Sequence, residues 1–203
     1  MALCRRIYEF LFLALASLSC CFGQFVSPQS LAQAYALTSS TTLSLPTATL
    51  SSSDTNAFLV STWGLSKGRI QNSPQDLSFV SDPYPNSTIP GTSNPVSNAP
   101  VLQVIYPANS FSPQEGGTQL YSLFNGSEPF QSILLSYEIA FDQGFDWVKG
   151  GKLPGIRGGP DPDGCSGGVK PNGTNCFSMR LMWRPEGAGE SEPSNHIQSN
   201  TIQ

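Results

Sequence analysis

Near the C-terminal end Phe177, Met179, Leu181 and Trp183 alternate with Ser178, Arg180 and Met182. A period of two divides side chains between the two faces of an extended strand and fits no helix. Packing the first set onto a core sets Ser178 and Arg180 side by side on the other face, where Arg180 is either cleft-facing or simply solvated. The same period appears in 101–106, 118–124 and 130–141, with 77–81 an earlier candidate. In the longest of these, Ile133, Leu135, Tyr137, Ile139 and Phe141 form one face and Ser132, Ser136 and Glu138 the other, the pattern of a half-buried antiparallel strand. Helix is scarce. Ser53 or Asp54 caps a short one that runs to about Trp63 and stops at Gly64. Pro83, Pro85, Pro90, Pro95 and Pro100 make 82–100 a long surface connection. The expectation is an all-β sandwich or jelly roll of antiparallel strands, with a short N-terminal helix.

The N-terminus fits a secretory signal peptide over 1–23, with basic Arg5 and Arg6, an apolar Leu11-to-Leu18 core, and cleavage before Gln24. That core is far shorter than the ~20 residues of a membrane span, so the mature product should be soluble and free of the membrane. Residues 24–53, rich in Ser, Thr and Ala, read as an extended arm, 54–190 as the main domain and 191–203 as a polar tail. Cleavage removes Cys4, Cys20 and Cys21 and leaves Cys165 and Cys176, for which an oxidising compartment makes pairing the default. Sequons at Asn86, Asn125 and Asn172 suit the same extracellular destination.

Loss of Arg5, Arg6 and Glu9 leaves eight Lys and Arg against thirteen Asp and Glu, a formal charge of −5. Six of the eight cations fall between Lys149 and Arg184, opposed there only by Asp161 and Asp163. An acidic protein with one basic segment suits local recognition of an anion and excludes a nucleic-acid surface, which needs a broader basic footprint. The segment opens with fifteen residues, 145–159, that hold five glycines together with Lys149, Lys152 and Arg157. Such a run marks either backbone brought close to an anionic ligand or a plain surface loop. No metal site is expected, since two cysteines and a distant His196 lack ligand spacing. The string from Asp161 to Gly164 faintly resembles a calcium loop, but a turn is the better reading, and no other cofactor is expected.

Taken together, Ser-Tyr-Glu-Ile-Ala-Phe-Asp (136–142), Phe-Asp-Trp-Val-Lys-Gly-Gly-Lys-Leu-Pro-Gly (145–155), Gly158-Gly159, Cys-Ser-Gly-Gly (165–168) and Phe-Ser-Met-Arg-Leu-Met-Trp (177–183) resemble polysaccharide lyase family 14, particularly its secreted fungal members. Family 20 glucuronan lyases are the nearest confusable group. The resemblance implies β-elimination on a uronic-acid polymer of the glucuronan or alginate type by a secreted monomer, and maps the family's functional lysine and Ser-x-Arg pair onto Lys152, Ser178 and Arg180. Arg180 would clamp the uronate carboxylate. Lys152 would help to neutralise it or act as base, and Ser178 would position sugar or water. Lys149, Arg157, Glu138 and Tyr137 are further candidate substrate contacts. The family pattern continues past residue 190 into a strand with paired tyrosines. This chain has Ser-Glu-Pro-Ser-Asn-His there and no tyrosine after Tyr137, so the jelly roll is expected to be incomplete at the C-terminus and the chain a poor catalyst. His196 is a conceivable base, though in a polar tail a solvated one. The rival reading is a jelly-roll module that binds an acidic glycan without cleaving it.

Overall fold

A computed structural model describes residues 26–65, 69–71, 73–88, 98–111, 115–123, 132–161, 164–165 and 171–194. The chain divides into two compact units, residues 1–133 and 134–203. Strand pairing among the described residues is antiparallel throughout and helix is confined to short segments. This is the antiparallel β class, with a short N-terminal helix, that the alternation predicts.

In the first unit the N-terminal arm is not wholly extended, as its composition had suggested. Ser27 accepts a hydrogen bond from the Ser30 amide at 3.1 Å and Pro28 fills the first turn, so helix α1 runs over Pro28–Ala34. None of its residues is buried, so this helix stands outside the core, which the arm joins at Leu50. Helix α2, Ser52–Thr62, starts two to three residues earlier than predicted because Ser51 supplies the cap in place of Ser53 or Asp54, accepting from the Asp54 amide at 3.3 Å. Three pairings then build two small sheets: β1 (Arg69–Gln71) with β4 (Gln119–Tyr121), and β2 (Leu77–Val80) with β3 (Val101–Val104), onto which Leu50 adds a bridge to Phe79. Leu59 of α2, Leu65, Leu77 and Phe79 make the core, ringed by Leu50, Phe58, Trp63, Leu102 and Leu120. Phe58 and Trp63 meet Phe79 edge-on, with ring centres 5.3 and 6.1 Å away. Buried Thr55 ties helix to sheet by accepting from the Phe79 amide at 3.0 Å.

The second unit carries the three-stranded sheet β5 (Gly151–Gly158), β6 (Phe177–Trp183) and β7 (Gly189–Ser194), in that order. The glycine-rich stretch is thus largely a strand, and the start of the expected polar tail is a strand too. Glycine is required here by close approach. A Cβ on Gly155 would lie 2.2 Å from the Met179 carbonyl and 2.6 Å from the Arg180 Cα, and one on Gly151 would enter the Trp183 ring. Trp183 closes the bottom of the sheet. Its indole donates to the Lys149 carbonyl at 3.1 Å, and with Phe141, Phe145 and Trp147 it forms an aromatic cluster whose ring centres lie between 4.5 and 6.0 Å apart. Cys165 and Cys176 are disulfide-bonded, Cα atoms 5.8 Å apart, and both are buried.

Two further expectations fail. Residues 132–141 do not form a strand, and Ile133, Leu134, Leu135 and Ile139 remain exposed. A strand needs a ladder as well as alternation. The Tyr137 hydroxyl does reach the Pro154 carbonyl at 3.1 Å, but Pro154 has no N–H to return and lies in the register shift between Lys152 and Gly155, so the free edge of β5 offers no continuous ladder. The faces of β6 are also the reverse of those expected. Phe177, Met179 and Leu181 are 43, 52 and 43% exposed, whereas Ser178 and Met182 are buried; only Trp183 of the predicted inward set is covered.

Candidate functional site on the three-stranded sheet

Residues directly opposite in an antiparallel pair share a face, and the register therefore assembles the site. Lys152 stands opposite Met182, Gly155 opposite Arg180, and Arg157 opposite Ser178; on the other side of β6, Glu192 stands opposite Arg180 and Glu190 opposite Met182. Lys152, Arg157, Ser178, Arg180, Glu190 and Glu192 consequently occupy one face. The one-residue bulge between Lys152 and Gly155 keeps Lys152 on that face despite an odd spacing from Arg157. Long charged side chains with apolar stems share the face with Ser178 and Met182, which accounts for the burial of two residues expected to be open.

The cations of that face differ in their engagement. Arg157 donates from Nε and Nη2 to the Gly164 carbonyl, at 3.0 and 2.6 Å, next to the disulfide. It therefore braces the Cys165 turn. Arg180 Nε lies 3.1 Å from Glu192 Oε2, an ion pair whose angles fall short of a linear hydrogen bond. Lys152 is exposed. The Ser178 hydroxyl is buried and has no hydrogen-bond partner among the described residues. A native fold seldom leaves a buried hydroxyl unmatched, because doing so costs roughly 1–3 kcal/mol.

Of the other predicted site residues, Lys149 and Glu138 are exposed. Tyr137 spends its hydroxyl on Pro154, and burial raises its pKa above the ordinary phenol value, holding it as a donor. Asn86 and Asn172 are both exposed. Asn172 Oδ1 accepts from the Thr174 amide and hydroxyl at 2.9 and 3.0 Å, folding its sequon into a tight turn. At the ends of the Asp161 string the Gly164 amide donates to the Asp161 carbonyl at 3.3 Å. Asn125, Asp163, Lys170, His196 and the signal segment lie outside the described residues. Among the described residues no three of His, Cys, Asp and Glu converge as metal ligands, and no helix is long and apolar enough to cross a membrane. A depression of ≈ 310 Å³ lined by Leu153, Leu181, Met182, Gly189, Glu190 and Ser191 touches neither Lys152 nor Arg180.

Sequence reading missed the two glutamates. Glu190 pairs with Arg184 through both carboxylate oxygens, and Glu192 with Arg180. The available signal was Glu190-Ser-Glu192-Pro, which alternates with a period of two across the boundary between the domain read as 54–190 and the polar tail read as 191–203.

An antiparallel β protein with a cation-bearing sheet face is the setting in which the family comparison falls. The sequence model of Polysaccharide lyase 14 matches residues 94–199, half of the chain, and the chain belongs to that family. No curated protein and no solved structure matches it.

Proposed function

We propose that this family member is a secreted lyase that cleaves a uronic-acid polymer, of the glucuronan or alginate type, by β-elimination. The observation that carries the reading is the presence on one sheet face of Lys152, Arg180 and a Ser178 hydroxyl without a hydrogen-bond partner among the described residues. In the elimination a base removes the C5 proton, the electron pair forms the C4–C5 double bond, and the C4–oxygen bond breaks, with a proton going to the leaving oxygen. Charge accumulates on the carboxylate beside C5 as the proton departs. Cations fixed before the reaction stabilise that charge without reorganising. Arg180 is assigned to the carboxylate, Lys152 to the developing charge, and Ser178 to a sugar hydroxyl or water. Arg157, tied to Gly164, is assigned to the scaffold. Extracellular export after cleavage before Gln24, glycosylation at Asn86, Asn125 and Asn172, a monomeric state and independence from a metal complete the proposal.

One observation favours the second reading, a module that binds an acidic glycan without cleaving it. The β7 positions beside Arg180 and Ser178 hold Glu192 and Ser194, where the family resemblance leads one to expect tyrosines able to move protons. Mass spectrometry of glucuronan and alginate incubated with the protein separates the cases. Elimination yields fragments one water lighter than hydrolysis does. Binding with no fragments supports the module, and hydrolytic fragments contradict both readings.

A further inference from the structure

We infer that Glu192 is a positioning residue for Arg180: it holds one edge of the guanidinium so that the opposite edge is presented to an anionic ligand. Arg180 Nε and Glu192 Oε2 lie 3.1 Å apart, and both atoms are buried with no other partner among the described residues. Yet the Arg180 side chain as a whole is 23% exposed and that of Glu192 is 37% exposed. The surface of Arg180 that solvent touches is therefore not its Nε. An incoming carboxylate cannot reach the paired edge, so Glu192 is poorly placed to compete with it. What remains open is the rest of a planar, five-donor fork, whose two terminal nitrogens match a carboxylate or sulfate end-on.

The placement follows from the register. Arg180 is flanked across β6 by Gly155 on one side and Glu192 on the other. On the Gly155 side there is no side chain, and even a Cβ would strike the Arg180 backbone. Of the two residues directly opposite Arg180, only the one on β7 has a side chain to restrain the guanidinium. An arginine on a bare strand carries several freely rotating bonds, and fixing it in advance removes much of the ordering cost from the binding step. A glutamate near an anion-binding cation costs some attraction, which is why its value must lie in orientation and not in charge.

This inference rests on the reading that the face binds a polyuronate, and its test has two arms. The first needs no ligand. The Arg180 Nε–H resonance in proton–nitrogen NMR should be resolved and protected from solvent exchange in the native protein, and lost in both Glu192→Gln and Glu192→Ala. The second measures binding of an oligoglucuronate and an oligomannuronate. Both Glu192 variants should bind about three- to tenfold more weakly than the native chain, and the loss should vanish in an Arg180→Ala background, as coupled residues require. Glu192→Gln preserves size and so guards against a folding defect. Tighter binding by the Glu192 variants would make Glu192 a competitor and overturn the inference, as would an equal loss with Arg180 absent. An unprotected Nε–H in the native protein overturns it with no reference to ligand. Protected Nε–H without uronate binding by the native chain would instead sink the proposed function, together with the ligand half of this inference.

Discussion

Arg180 and Gly155 show how a residue's neighbours decide its part. Alternation finds that Arg180 and Ser178 share a face, but it does not tell which face is covered. That depended on the lengths of side chains from β5 and β7, which a single strand's pattern does not contain. Replacing Arg180 with Ala should weaken polyuronate binding by about 1.5–3 kcal/mol, the range of a charge-assisted hydrogen bond, and the loss should shrink in high salt as exposed charges are screened. Titration calorimetry at two ionic strengths checks this; an unchanged affinity sets Arg180 aside. The many glycines of 145–159 were legible as special, and at Gly151 and Gly155 the reason is close approach to β6. Gly155 lets two backbones meet, since a Cβ would sit 2.2 Å from the Met179 carbonyl. Gly155→Ala should destabilise the second unit by about 1–3 kcal/mol, as overpacking does, read as a lower denaturation midpoint.

Among the elements, β2, β3, β4 and β6 were legible from period two, with β2, β3 and β4 shorter than their sequence patterns and β6 spanning its whole alternation. Residues 132–141 were misread because alternation describes amphipathicity, whereas a strand also needs an edge that can hydrogen-bond, and Pro154 removes a donor from the β5 edge. Strand β7 was missed because it holds no large apolar residue, only glycine, proline, two serines and two glutamates, a composition that suits an edge strand better than a core one. Its Glu190 gives a pH prediction. The hydrogen bond from Arg184 lowers the Glu190 pKa below the usual value, so the pair's contribution is present above the unfolded carboxylate value and is lost as pH falls through the lowered folded value. The raised pKa of Arg184, due first to the same hydrogen bond, keeps that partner charged across the whole window. Because the pair is exposed the effect is small. A carbon-detected titration should place the Glu190 midpoint below that of an ordinary glutamate and return it towards normal in Arg184→Gln; a normal midpoint in the native protein contradicts the pairing. The disulfide was legible from the two cysteines left after the expected signal cleavage, taken with an oxidising compartment. Cys165→Ser with Cys176→Ser should cost roughly 3 kcal/mol by the loop-entropy argument, measurable as a shift in the urea midpoint.

At the scale of the whole molecule, the sequence resolved fold class and family, because both rest on patterns spread over many residues: antiparallel strands, scarce helix, and a Polysaccharide lyase 14 match over 94–199. The division into units at residue 133 was not legible, since the contacts that create it join residues far apart in the chain. The central claim is that the Lys152–Ser178–Arg180 face is where a polyuronate is bound and cleaved. Elimination creates a conjugated double bond that absorbs in the ultraviolet, so product formation from glucuronan and alginate can be followed continuously in the native protein, in Arg180→Ala, and in Met179→Ser as a control on the opposite, exposed face. The account predicts ultraviolet-absorbing product from the native chain, about 10- to 100-fold slower formation in Arg180→Ala, and an unaltered rate in Met179→Ser. Equal rates in the native protein and Arg180→Ala would contradict it.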